Sequence, residues 1–133
     1  MNLLSILLPK AEVAYLEGAV SVRQAVEKMC HYHYTAVPVL DSQGHYLYTI
    51  SSGDLLCYLQ EHELALRDME TGPLENVPIF RPIKAMSILA STQEVGEALR
   101  GQNFVPIVDD KGVFIGIITR YRYIAVVSDK KND

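Results

Sequence analysis

Two short strings place a hydroxyl and a charge at helical spacing: Ser51-Ser-Gly-Asp54 and Thr119-Arg-Tyr-Arg122. A Ser at a helix start with an acid three residues on is a capping box, which stabilises the helix by about 1 kcal/mol with no ligand present. The second string cannot close such a box, because a guanidinium offers donors and no acceptor. A cation in the first turn also opposes the helix dipole, at a cost of a few tenths to about 1 kcal/mol. A phosphate at that helix start reverses the sign of both effects, since helix N-termini attract anions and arginine grips phosphate with two parallel hydrogen bonds. The plain alternative is an Arg122 side chain that runs out to solvent or pairs with a linker acid such as Glu61 or Glu63. The chemistry these residues suggest is recognition of a small anion at the start of the last helix.

Other chemistry finds less support. His31 and His33 are two residues apart at a helix end, so they point roughly 200° apart, and no acid or thiol lies at ligand spacing. Cys30 and Cys57 make neither a disulfide framework nor a CxxC pair. No Ser-His-Asp set, paired glutamates or glycine-rich phosphate loop stands out. The expectation is a non-enzyme with no metal site and no resident cofactor. A formal net charge of −4 over 133 residues argues against nucleic acid as a bulk partner. A small anionic ligand needs only a few local cations. The apolar start, Met1 to Pro9, is too short to span a bilayer and lacks the basic opening of a signal peptide. It reads as a short helix laid on the core of a cytoplasmic protein.

The elements that position these residues form a repeat. Pro38 matches Pro106, Asp41 matches Asp109, Gly44 matches Gly112 and Ser51 matches Thr119, all at an offset of 68. Within the repeat, Ala36 to Leu40 and His45 to Ile50 read as strands joined by a turn at Asp41 to Gly44, and a helix follows. The second copy places strands at Phe104 to Val108 and Val113 to Ile118, with the final helix starting near Thr119. Ser21-Val-Arg-Gln24 and Ser91-Thr-Gln-Glu94 are capping boxes that open the first helix of each copy. Ala85 to Leu89 is a short strand before the second of these. Residues 1–60 form the first repeat, with the short N-terminal helix. Residues 61–76 are a charged linker broken at Thr71-Gly-Pro73, and residues 77–133 form the second repeat. Each copy reads β-α-β-β-α, and two such halves predict one compact α/β module with pseudo-two-fold symmetry and equivalent loops at a central cleft.

The string apolar-Pro-apolar-apolar-Asp, the Gly turn, Gly-Ile-Ile-Thr and the following helix resemble the CBS motif. Two copies in tandem resemble a CBS pair, the Bateman module, over roughly Lys10 to Val127. The resemblance implies a regulatory module that takes adenine-containing ligands between its repeats. A first site would use Lys10, Val13, Ala14, Tyr34, Thr35, Ala36 and Pro38 with Thr119, Arg120 and Arg122. A second would use Ala85, Asn103, Phe104, Val105 and Pro106 with Ser51 and Asp54. In that reading Asp54 would take ribose hydroxyls, and Tyr34 would stack on the adenine, a contact of about 1–3 kcal/mol. Arg122 stands where the pattern has Asp, which weakens ribose recognition at the first site and favours a ligand richer in phosphate. The strings Glu12-Val-Ala-Tyr15, Tyr34-Thr-Ala-Val-Pro38 and Gly116-Ile-Ile-Thr-Arg120 are similar to small standalone CBS-pair proteins of Gram-positive bacteria that bind cyclic di-AMP.

The leading expectation is a sensor of an adenine nucleotide, cyclic di-AMP among the candidates, that controls an unidentified target protein. The resemblance further implies a homodimer, with Leu55, Leu59, Ile124 and Val126 as candidates for its face and internal packing as their alternative role. The rival readings are a sensor of AMP, ATP or S-adenosylmethionine, and an interaction module whose cleft takes no ligand.

Overall fold

A computed structural model describes residues 2–62 and 72–132, with side chains through Ser128. Residues 63–71, most of the expected linker, lie outside the described residues. The chain divides into two compact units, one of Ala14–Pro82 and one that joins Met1–Val13 to Ile83–Asp133.

The Ala14–Pro82 unit holds strands β2 (Leu16–Glu17), β3 (Ala36–Leu40) and β4 (Tyr46–Ser51), with helices α1 (Val22–Tyr32) and α2 (Ser52–His62). Its sheet order is β2-β3-β4, with β2 parallel to β3 and β4 antiparallel to it. The other unit holds β1 (Leu8–Pro9), β5 (Met86–Ser87), β6 (Phe104–Val108) and β7 (Phe114–Thr119), with α3 (Thr92–Ala98) and α4 (Arg120–Asn132). Its order is β1-β7-β6-β5. Each unit has a buried apolar cluster: Val22, Ala25, Met29, Val37, Val39, Ile50 and Leu55 in the first, and Leu3, Ile6, Val95, Val105, Ile107 and Ile118 in the second.

The repeat extends to register. Ala36 pairs with Ser51 and Phe104 with Thr119, and both hairpins bulge one step before their turn, at Val39/Leu40 and Ile107/Val108. Asp41 and Asp109 close the turns alike. Asp41 Oδ1 accepts from the backbone N–H of Gln43 and His45 (both 2.9 Å), and Asp109 Oδ1 from those of Lys111 (2.8 Å) and Val113 (2.9 Å). Gly44 and Gly112 supply the left-handed residue each turn needs, at φ 87° and 80°. Pro38 and Pro106 sit inside strands because their parallel neighbours are two residues long. β2 pairs only with Val39 and Leu40, and β5 only with Ile107 and Val108, so neither proline faces a ladder partner on that side. Both predicted capping boxes form, Ser21 with Gln24 and Ser91 with Glu94.

The expected N-terminal helix is a single 3-10 turn, Leu3–Ser5, capped by Asn2. After it the chain extends and pairs antiparallel with β7, Leu8 against Ile117 and Pro9 against Gly116. That pairing needs a glycine. Gly116 lies at φ +154°, and a Cβ there would collide with the Leu8 carbonyl oxygen. After β1 the chain makes a second 3-10 turn, Lys10–Glu12, packed against β7.

Candidate functional site

The hairpin ends carry most of the residues singled out above. In the Ala14–Pro82 unit, Thr35 and Ala36 enter β3 beside Ser51 at the end of β4, and the Ser52 N–H donates to the Thr35 carbonyl (2.9 Å). The helix start is a closed capping box. The Ser51 N–H donates to Asp54 Oδ2 and the Asp54 N–H to Ser51 Oγ, both at 3.1 Å. Asp54 Oδ1 accepts a third bond, from the Phe80 N–H at 3.2 Å. With 5% of its surface exposed, Asp54 has both carboxylate oxygens engaged inside the unit. It ties the start of α2 to the segment that leads into the second repeat, a link that no spacing in the sequence announces.

In the other unit, Asn103 and Phe104 enter β6 beside Thr119, and the Arg120 N–H donates to the Asn103 carbonyl (2.8 Å), repeating the Ser52–Thr35 bond. The cap is only half formed, since the Arg122 N–H donates to Thr119 Oγ1 (3.1 Å) and an exposed guanidinium stands where Asp54 has its carboxylate. Arg120 is held from a different direction. Its Nε donates to the Leu99 carbonyl at 2.8 Å and its Nη2 to the Gln102 carbonyl at 2.9 Å. Leu99 is the C-cap of α3, so the cation also sits at the negative end of that helix. Gln102 Nε2 in turn donates to the Phe104 carbonyl (2.9 Å). These partners are backbone carbonyls, which explains why Leu99 and Gln102 carry no sequence signal.

Each hairpin thus joins residues assigned to different sites: Thr35 and Ala36 with Ser51, and Asn103 and Phe104 with Thr119 and Arg120. Pro38, Val105 and Pro106 are buried in their strands, and Ala85 is half-buried just before β5. Lys10 lies one residue past the Pro9–Gly116 pair. Thr119 is three residues beyond Gly116, about 10 Å along the strand. Val13 and Ala14, both half-buried, follow the Lys10–Glu12 turn.

Tyr34 is 42% exposed and its ring stacks on Tyr32, with centroids 5.8 Å apart and planes at 26°. It lines an apolar groove of about 380 Å³ between α1 and α2, with Val26, Met29, Cys30, Leu55 and Leu59 among its walls. One ring face is therefore taken by another aromatic. Of the four residues considered for a dimer face, Leu55 lies in the core, and Leu59 and Val126 pack against the clusters. Ile124 stays 53% exposed.

The family model described as CBS domain matches residues 7–61 and 81–129. The chain belongs to the CBS domain family and carries its motif twice. A CBS domain protein of Streptococcus pneumoniae superimposes with a TM-score of 0.88 at 26% identity, over 99% of this chain and 90% of its own. The CbpB protein of Listeria monocytogenes, solved in complex with cyclic di-AMP, reaches 0.83 at 19% identity, over 99% and 98%. CBSX2, solved in complex with AMP, reaches 0.69 at 21% identity, over 96% of both chains. A comparison with curated proteins finds no match. No helix among the described residues is long and apolar enough to cross a membrane, and no group of His, Cys, Asp or Glu among them could hold a metal ion.

Proposed function

We propose that this CBS pair is a non-catalytic sensor of an adenine nucleotide with an anionic phosphate, cyclic di-AMP first among the candidates, and that the bound nucleotide controls a partner protein. The observation that carries this reading is Arg120. Of its five N–H donors, the side-on pair is spent on carbonyls, which leaves the end-on edge of the guanidinium without a bond among the described residues. Arg120 opens the 13-residue α4, with Thr119 the residue before it and the exposed Arg122 two residues on. An anion there would gain from both guanidinium groups and from the helix start. Cyclic di-AMP supplies two phosphodiester charges and two adenines. Lys10, in the same unit as Arg120 and Arg122, is the third cation of the proposed set. A ligand of this kind acts on the partner through its differential affinity for two arrangements of the protein, and a homodimer is the form in which we expect it to act.

Thermal-shift measurements with cyclic di-AMP, AMP, ATP and S-adenosylmethionine test this directly. A ligand at 100 times its dissociation constant stabilises the protein by about 2.7 kcal/mol. The expected order puts cyclic di-AMP first, with its shift lost in Arg120→Ala. No shift from any of the four would overturn the proposal. A second reading has its own support: the Asp54 carboxylate is fully engaged within its unit, so the position built from Ser51 and Asp54 is a structural cap that takes no ribose. In that case Asp54→Ala lowers stability and leaves nucleotide affinity unchanged.

A further inference from the structure

We infer that Arg120 is a positioning residue as well as an anion ligand: its side-on edge clamps the end of α3 and the loop into β6, and so fixes the direction of its own free edge. The inference deepens the reading above and rests on it for the ligand alone.

The geometry is specific to one half of the repeat. The backbone bond from residue 120 to the Asn103 carbonyl has its counterpart in Ser52 and Thr35. The side-chain clamp has none there, because Ser52 cannot span two carbonyls. Arg120 closes on Leu99 O (2.8 Å) and Gln102 O (2.9 Å), three residues apart at the exit of a helix. Gln102 passes the constraint on through its own bond to Phe104 O, and Phe104 pairs with Thr119, the residue before Arg120. The ring of contacts is closed. Moving the guanidinium frees the α3 terminus, and loosening the loop turns the guanidinium. A lysine would keep the charge but is a point donor without the planar fork, so it cannot hold both carbonyls and face an anion at once.

Three measurements on the full chain test this. In the free wild type, NMR should show an Arg120 Nε–H that is slow to exchange and a guanidinium with hindered rotation. Fast, freely rotating behaviour would overturn the clamp. In hydrogen exchange, the amides of Leu99, Arg100 and Gly101, which bond back into α3, should open about tenfold or more faster in both Arg120→Lys and Arg120→Ala, the equivalent of one lost charge-assisted bond. Exchange in β3 and β4 should stay as in the wild type. Unchanged exchange at Leu99 to Gly101 in both variants would overturn the clamp. With cyclic di-AMP as the probe, Arg120→Lys should bind about tenfold or more weakly despite its charge. Affinity equal to that of the wild type would overturn the positioning role in recognition. Failure of the wild type to bind cyclic di-AMP would overturn that nucleotide as the ligand and leave the first two results to decide the clamp.

Discussion

Under the proposed function, Arg122 makes opposite demands on stability and binding. In the first turn of α4 it opposes the helix dipole, and its N–H completes only half of the cap on Thr119. Arg122→Asp should restore the reciprocal box seen at Ser51 and Asp54. The free protein should then be more stable by a few tenths to about 1 kcal/mol in chemical denaturation. The same change should weaken cyclic di-AMP binding by calorimetry, since a carboxylate would face the phosphate. Asp41 illustrates a separate effect. The backbone N–H of His45, followed by that of Gln43 and the His45 side chain, holds its carboxyl below its usual value of 3.8. A depressed folded-state pKa stabilises above the unfolded value and loses that contribution as pH falls through the folded one. Urea midpoints should therefore hardly respond to Asp41 ionisation above about pH 4 and should fall below it. In Asp41→Asn that acid limb should be flatter.

Among the elements, glycines mark where two pieces approach too closely for a side chain. A Cβ on Gly96 of α3 would collide with the Tyr123 hydroxyl, which donates to the Thr92 carbonyl at 3.2 Å. Gly96→Ala alone should destabilise the protein by pushing Tyr123 off its seat. In a Tyr123→Ala background the same substitution should stabilise by up to about 1 kcal/mol through helix propensity. The change of sign, read by thermal denaturation of the four proteins, checks the contact. The hairpins were legible in the sequence because alternation, the Asp and Gly of each turn and the 68-residue offset all agree. The capping boxes were legible for a similar reason, since Ser with Gln or Glu at the third position carries its own partner. The two-residue strands β1 and β2 were not, because such short segments have no period to read, whereas β5 (Met86–Ser87) lies inside the short strand expected at Ala85 to Leu89. The Arg120 clamp and the Asp54–Phe80 bond were hidden for another reason: their partners are main-chain groups that any residue could supply.

At the level of the whole molecule, order along the chain and order in space part company. Leu3 and Ile6, 3% and 1% exposed, belong to the cluster built from Val95, Val105, Ile107 and Ile118. Burying each contributes about 1.5–3 kcal/mol. Deleting residues 1–9 should therefore weaken the far end of the chain. Hydrogen exchange should accelerate in β6 and β7 of the truncated protein while β3 and β4 keep their protection. Equal loss in both hairpins would contradict that assignment. The repeat in the sequence suggested two halves cut near the linker, and nothing in the apolar start said which half it would join. That choice rests on Gly116, whose missing Cβ admits the Leu8 carbonyl.

The same strand pairing has a consequence during synthesis. The partner of β1, β7, is the last strand to leave the ribosome. Residues Ala14–Pro82 can close their own sheet as soon as they emerge, whereas Leu3, Ile6 and Leu8 must wait for β7. At about 5–20 residues per second, the roughly forty further residues through Thr119 take several seconds to appear. Over that interval Leu3, Ile6 and Leu8 lack the strand and cluster that cover them in the folded protein. Chaperones that recognise short hydrophobic segments would meet this chain at Leu3 to Leu8, and misfolding under heavy expression should begin there.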